Sequence, residues 1–297
     1  MLLLVKLQDY LNKVVQGDVD VSLSNLIQYT NDCKESATKQ ISKEKRAYRI
    51  RMSGLGRPLC QQILERAGHR EDMPYNAPVR FWFGDMSEAM LMLIMREAGI
   101  DIVEFQKEVE LEIAGHKIKG TLDVVLRDEA GVERVWDIKS ASDWAFKHKF
   151  AGFGGYDSIK EDDPFGYVMQ GYLYATAMNI PFGGWIVVNK SSGQLAVVEA
   201  PEWQDEDRVK YLADAAERVK FLTDPKSKPF KPFPEEFETY REKGEVIRTG
   251  NKILPKPCGF CGHKMHCWPK AEMHGKVTSK AKFPPQVWYT RLKKKEL

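Results

Sequence analysis

The sequence predicts a mixed α/β fold, and three features carry that expectation. Helix-spaced apolar residues dominate the first fifty positions and the stretch Phe81 to Ala98. Turn-punctuated strand pattern occupies Val103 to Ser140. Beyond it, helix and strand patterns alternate as far as Leu222. In order along the chain, Met1 to Val5 is apolar, but Lys6 and Asp9 interrupt it short of a signal core or a membrane span. It reads as the start of an amphipathic helix whose buried stripe continues through Leu7, Tyr10, Leu11 and Val14. A second helix is predicted from near Ser24 into the basic stretch Lys43 to Arg51. A short helix follows, with Pro58 in its first turn and Cys60, Ile63 and Leu64 on or near one face. Phe81 to Ala98, rich in Met and closed by Gly99, is the predicted central helix, its Met stripe read as core. Strands with turns at Ala114-Gly115-His116 and Asp128-Glu129-Ala130-Gly131 come next, then helices from Asp143 to about Asn179. Two short strands span Gly184 to Ala200, and a helix runs from Gln204 to Leu222. A Pro- and Lys-rich connection, Asp224 to Pro234, leads into a cysteine-bearing tail.

The chain divides on this reading into a helical N-terminal region (1–80), a core (81–223) and a C-terminal linker with tail (224–297). Its 297 residues, 43% hydrophobic and 11% aromatic, suffice to bury a substantial core in a soluble protein. Five cysteines, an odd number without a secretory leader, argue against a disulfide framework and for a reducing cytoplasm, so any clustering of thiols calls for metal or redox chemistry. The net charge of +3 conceals an uneven distribution. Lys34 to Arg70 holds ten Lys/Arg against three Asp/Glu, and Asn251 to Leu297 holds eleven against two, leaving a net of −13 for the rest. A charge run is ordinarily a solvated face. Basic flanks around an acidic middle also suit a protein that neutralises phosphates at its edges and holds divalent cations at its centre. No internal repeat and no phosphate-binding Gly-rich loop is present, which argues against a fused motor.

The acidic middle contains Gly120-Thr121-Leu122-Asp123 followed by Trp136-Asp137-Ile138-Lys139. Asp123 and Asp137 are equidistant from Ala130 in the predicted turn, so a simple hairpin sets them opposite each other. Asp137 and Lys139 then share one strand face while Ile138 turns into the core. Two close carboxylates repel, and a hard divalent cation such as Mg²⁺ relieves the repulsion. Asp-x-Lys alone is a weak signal, because acids and lysines alternate on many solvent-facing hairpins.

Four segments strengthen it. Gly84-Asp85-Met86-Ser87-Glu88, Gly120-Thr121-Leu122-Asp123, Asp137-Ile138-Lys139 and Gln170-Gly171-Tyr172-Leu173-Tyr174 occur in the order found in the RecB-like branch of the PD-(D/E)XK nucleases, which the chain resembles from about Arg51 to Trp268. The resemblance implies a restriction-endonuclease-like core, a mixed central sheet flanked by helices, with the helical N-terminal portion stapled to the C-terminal tail. It assigns Mg²⁺ or Mn²⁺ binding to Asp123, Asp137 and the Ile138 carbonyl, with Glu88 standing where the family commonly has histidine. Catalysis falls to Lys139, with Gln170 and Tyr174, one helical turn apart, near the scissile strand.

Cys258-x2-Cys261-x5-Cys267 is spaced to wrap a metal centre and requires a fourth ligand. Cys60 stands 198 positions before Cys258, and the same split of one early and three late cysteines marks the iron-sulfur members of the resembled branch, among them AddB and the CRISPR-associated RecB-like nucleases. Their cluster is a four-iron, four-sulfur staple. A zinc knuckle using the three late cysteines with His263, His266 or Cys60 is the alternative. Cys33 has no cysteine neighbour and reads as a core or surface thiol.

The function implied is a metal-dependent DNA exonuclease acting on ends or single strands in recombination, repair or replication, in the cytoplasm of a bacterium or phage-infected cell. Two other readings stay open. One is a nuclease subunit of a DNA-processing assembly, for CRISPR spacer acquisition or recombination, working with a helicase, integrase or annealing protein. The other is a non-catalytic DNA-binding module. DNA is the partner in each, and no membrane association is expected.

Overall fold

A computed structural model describes residues 2–42, 47–69, 75–152 and 154–293. The chain forms two compact units that interleave in sequence: Met1–Gly56 with Pro74–Phe221, and Arg57–Met73 with Leu222–Leu297. The expected boundary near 223/224 falls within three residues of the observed one, but the expected 1–80 region is divided. The reason lies in Arg66, whose guanidinium donates to the Leu222, Asp224 and Ser227 carbonyls and so ties its helix to the C-terminal segment. Among the described residues no helix is long and apolar enough to cross a membrane.

The first unit opens with α1 (Leu2–Gln16), α2 (Leu23–Ile41) and α3 (Met52–Leu55); α4 (Leu59–Arg66) belongs to the second unit, and α5 (Ala77–Glu97) returns to the first. α2 ends at Ile41, where the Ser42 N–H donates to the Thr38 carbonyl; the expected extension through 43–46 lies outside the described residues. Within α1 only Leu3 and Leu7, an i,i+4 pair, reach the core, while Val14 is 42% exposed and not part of the buried stripe. α5 begins four residues earlier than the apolar pattern suggests, because Pro78 supplies a favourable first turn, and it ends ahead of Gly99 at φ 67°.

The strands β1 (Asp101–Phe105), β2 (Glu108–Ile113), β3 (His116–Thr121), β4 (Val124–Arg127), β5 (Glu133–Ala141), β6 (Phe182–Asn189) and β7 (Leu195–Glu199) build one five-stranded sheet in the order β1-β4-β5-β6-β7 and a separate β2–β3 hairpin. β5 and β6 are parallel and every other neighbouring pair is antiparallel, so the sheet is mixed. The β5-to-β6 crossover carries α6 (Asp143–Ala145), a π-helical turn (Phe146–Phe150), α7 (Gly155–Glu161) and α8 (Tyr167–Met178). A parallel pair needs such a crossover, and β6 is buried at every position, as a strand covered on both faces should be. Trp136 and Ile138 of β5 join Leu7, Leu91, Met92 and Met95 of α1 and α5 in one apolar cluster. The intervening Asp137 faces the other way and meets α8 through Gln170. α9 (Asp205–Thr223) closes the unit apart from its final two residues.

In the second unit the cysteine-bearing tail is more ordered than the sequence reading expects. β8 (Glu236–Glu242), β9 (Glu245–Ile253), β10 (Glu272–Gly275) and β11 (Gln286–Arg291) form an antiparallel sheet in the order β10-β11-β9-β8, with α10 (Lys256–Gly259) and α11 (Lys264–Cys267) between β9 and β10. The β8–β9 turn places Lys243 and Gly244 at φ 48° and 90°, the backbone of a tight hairpin. Apolar alternation is weak here because the interior is partly polar. Glu238, 1% exposed, accepts hydrogen bonds from Thr249, Asn251 and Tyr289 at 2.9, 2.8 and 2.6 Å.

Candidate functional site

The β4–β5 register places the first candidate site. Val124 pairs with Trp136, so the preceding residue, Asp123, comes opposite Asp137. The turn that sets this register is held by Asp128, whose Oδ1 accepts from the Ala130 and Val132 N–H groups at 3.0 and 2.9 Å. Asp123 Oδ2 accepts from the Ile138 backbone N–H at 2.8 Å, fastening the carboxylate across the hairpin. Asp137 Oδ1 accepts from Lys139 Nζ at 2.8 Å and from Gln170 Nε2 at 2.9 Å. Lys139 Nζ also stands 2.7 Å from Asp137 Oδ2, an ion pair without a hydrogen bond to that buried oxygen. Glu88 reaches the group from α5, held by a hydrogen bond from Gln106 and close enough to Asp123 to feel its charge.

Burial and mutual repulsion set the protonation of these acids. Burial, then the Asp123 charge, raises Glu88 to about 8. Burial raises Asp137 to about 7, with Lys139 opposing and Asp123 assisting the rise. Asp123 is raised as well, chiefly by burial. For Lys139 burial favours the neutral amine, but Asp137 and Asp123 outweigh it and hold the ammonium charged. The result is a desolvated acid cluster with one internal cation.

Tyr174 and Gly120 meet directly. A Cβ on Gly120 would lie 2.6 Å from the Tyr174 ring and 3.1 Å from its hydroxyl, so the strand can pass beneath the phenol only as glycine. Tyr167, one turn before Gln170 on α8, lays its ring 4.9 Å from Lys139 Nζ. Neither Tyr167 nor Gln106 falls in a spaced motif, and packing alone brings them to the site. Of the sequence candidates, Glu88, Asp123, Asp137, Lys139 and Gln170 are linked by contact or charge. Tyr174 feels both aspartates and has its pKa raised, first by burial. Ile138 contributes its N–H to Asp123.

The second candidate site lies within the other unit. Cys60 of α4 and Cys258, Cys261 and Cys267 line one cavity, together with Lys231 and Trp268. Burial, then repulsion from the other three thiols, raises Cys60 to about 11, and burial raises Cys261 to about 11. Lys231 caps one side, its ammonium 3.1 Å from the Trp268 ring centroid and 3.1 Å from the Cys267 carbonyl that it donates to. His263 is buried with its Nε2 3.8 Å from Glu65, and His266 packs at a tilt against His69, ring centroids 4.3 Å apart. Neither histidine lines the cavity. Cys33 is half-buried and belongs to the first unit.

Among the described residues no group of three or more His, Cys, Asp or Glu stands at metal-holding geometry. The fit of a metal therefore rests on donor chemistry. Three acids raised by burial, with Asp123 adding to the rise at Glu88 and Asp137, suit a hard divalent cation, which would compensate their charge. Four thiols gathered from remote chain positions suit a soft centre, iron-sulfur or zinc.

No protein-family model and no curated protein matches the chain. Among solved structures it is similar to SSO0001, at 17% identity over 66% of this chain and 86% of that one, with a TM-score of 0.39. The fold itself is a mixed α/β one, a mixed sheet flanked by helices.

Proposed function

We propose that the chain is a Mg²⁺- or Mn²⁺-dependent deoxyribonuclease with a PD-(D/E)XK core, acting on DNA ends or single strands, exonuclease more than endonuclease. The observation that supports this best is Asp137, standing opposite Asp123 and bound by both Lys139 and Gln170. A solvated hairpin would not bury such a set or raise Asp137 to about 7.

Asp123, Asp137, Glu88 and the Ile138 carbonyl would hold the ion. When bound, it supplies a Lewis acid that polarises the phosphodiester and makes water a better nucleophile. Lys139, kept charged by its two aspartate neighbours, stabilises the charge that develops on the phosphate oxygens. Gln170 fixes the Asp137 carboxylate by donating to Oδ1, and so orients one metal-binding oxygen. Tyr174, its phenol kept neutral, is a hydrogen-bond donor beside the acids. In the second unit Cys60, Cys258, Cys261 and Cys267 would hold a four-iron, four-sulfur cluster, with zinc as the alternative occupant. That group's role is structural.

The test is degradation of end-labelled single- and double-stranded DNA with and without Mg²⁺. Metal-dependent shortening that Asp137→Ala eliminates, with DNA binding retained, is the expected result. Cleavage by Asp137→Ala at the wild-type rate would sink the assignment.

A further inference from the structure

The connection between β10 and β11 plays no part in either candidate site. It runs Lys276-Val277-Thr278-Ser279-Lys280-Ala281-Lys282-Phe283-Pro284-Pro285, three lysines and no acid in ten residues. It lies within the segment Asn251 to Leu297, whose net charge is +9. The loop is irregular in backbone yet fastened at its base. The Lys276 N–H donates to the Pro285 carbonyl at 2.8 Å, the Val277 N–H donates to the Tyr289 hydroxyl at 3.1 Å, and that hydroxyl donates to buried Glu238 at 2.6 Å. Pro284 packs so closely over Gly275 that a Cβ there would come within 2.6 Å of it.

Two residues before the fastened Pro285, Phe283 is 83% exposed. Lys282 extends its ammonium to 5.6 Å from the ring centroid. Among the described residues neither Lys280 nor Lys282 has a carboxylate within ion-pair reach, whereas Lys252 and His274 on the neighbouring strands are matched to Glu235 and Glu272. A large apolar ring held out in water beside an uncompensated ammonium gains nothing for the fold that carries it. It matches a ligand that offers a flat π-face and phosphate charge together.

We propose that the β10–β11 loop is a contact for single-stranded nucleic acid separate from the acid cluster, with Phe283 stacking on a base and Lys280 and Lys282 neutralising adjacent phosphates. The choice of nucleic acid over an anionic lipid surface rests on the nuclease reading, so the experiment reads binding and cleavage independently. Anisotropy of a fluorescein-labelled oligothymidine of about twenty nucleotides, in EDTA to prevent cleavage, is compared for wild type, Phe283→Ala, Phe283→Tyr and Lys280→Ala/Lys282→Ala. Phe283→Ala should weaken binding about 5- to 160-fold, the range expected for one lost stacking contact, with Phe283→Tyr near wild type. The double lysine variant should flatten the plot of log affinity against log salt by about 1.4, for two lost single-strand phosphate contacts. On unaltered protein, photo-crosslinking to bromouracil-substituted oligonucleotide should map to residues 276–283. Equal binding by all four proteins, or crosslinks that avoid the loop, overturns the proposal, and if Mg²⁺-dependent cleavage persists in those proteins the nuclease reading survives it. Loop-dependent oligonucleotide binding without cleavage has the opposite meaning. Loop-dependent sedimentation with phosphatidylserine vesicles, while oligonucleotide binding is unchanged, would assign the loop to a lipid surface and overturn the proposal.

Discussion

The acid cluster and the cysteine cavity are both crowded sets of like donors, yet they are held together by different means. The acids carry their own counter-groups: Lys139, the Gln170 amide and the Ile138 N–H each engage a carboxylate oxygen. Among the described residues the thiols carry no counter-ion pair of that kind: the His263 N–H donates to Cys261 Sγ at 3.3 Å, and Gln61 and Trp268 favour the Cys60 and Cys258 thiolates only against a larger burial effect. On the proposed function, one site is preorganised by protein hydrogen bonds and would need a cation to act. The other draws its donors from widely separated parts of the chain and would be closed by a bound centre. The lesson is that burial raises both sets of donors alike, while among the described residues only the acids have an ammonium in ion-pair contact to set against it.

That contrast can be broken at five residues. The largest effects belong to the acid cluster and concern rate. Asp137→Ala is expected to abolish cleavage, and Lys139→Ala to lower turnover by about 10²–10³-fold, the scale for losing a preorganised charge-stabilising group. Lys139→Arg should remain poor, because its planar head cannot occupy the same contact with Asp137. Full activity in the arginine variant, measured by single-turnover kinetics, would show that bulk positive charge is enough. At the cavity the expectation is structural. Cys60→Ser should lower bound iron and melting temperature together, read by visible absorption, metal analysis and calorimetry; retention of both would remove Cys60 from the ligand set.

Smaller effects sharpen the comparison. Gly120→Ala forces a methyl into the Tyr174 ring, and overpacking of this kind costs about 1–3 kcal/mol. A denaturant midpoint unchanged by Gly120→Ala would mean that the ring moves aside freely. The gentlest probe is pH. Glu88 is raised from 4.5 to about 8, so the folded metal-free protein binds a proton that the unfolded chain releases earlier. Its contribution is therefore present below about pH 4.5 and is lost as pH rises through 8. Thermal stability in EDTA should decline across that window, and Mg²⁺ should restore it with release of protons detectable by calorimetry in buffers of different ionisation enthalpy. Glu88→Gln should flatten the decline. A stability profile identical in Glu88→Gln and wild type would place the titration elsewhere.

How much of this was legible follows from distance along the chain. The opposition of Asp123 and Asp137 is a local matter of counting outward from a turn, and Asp128 fixes that turn through two backbone hydrogen bonds. The helical period likewise puts Gln170 and Tyr174 on one face of α8. Gln106 is different. It reaches Glu88 from a residue at φ 47°, a backbone state that no apolar pattern reports. Tyr167 arrives over Lys139 only because the β5-to-β6 crossover brings α8 against the sheet. The sheet of the second unit hides for another reason: its centre holds Glu238, Asn251 and Thr249 where alternation looks for apolar side chains, although Lys243-Gly244 is a readable hairpin turn.

The insertion of α4 into the second unit also imposes an order in time. Cys60 leaves the ribosome long before Cys258, and at about 5–20 residues per second the intervening 198 positions take about 10–40 s to synthesise. Throughout that interval a nascent chain carries a thiol-bearing helix whose remaining partners do not yet exist. The segment from Leu222 onward must then capture a helix already made, so closing the second unit joins an earlier-made part of the polypeptide to a later one. A translation pause between the codons for α9 and β8 would lengthen the exposure of Cys60 to oxidants, and yield would fall in step with oxidant concentration.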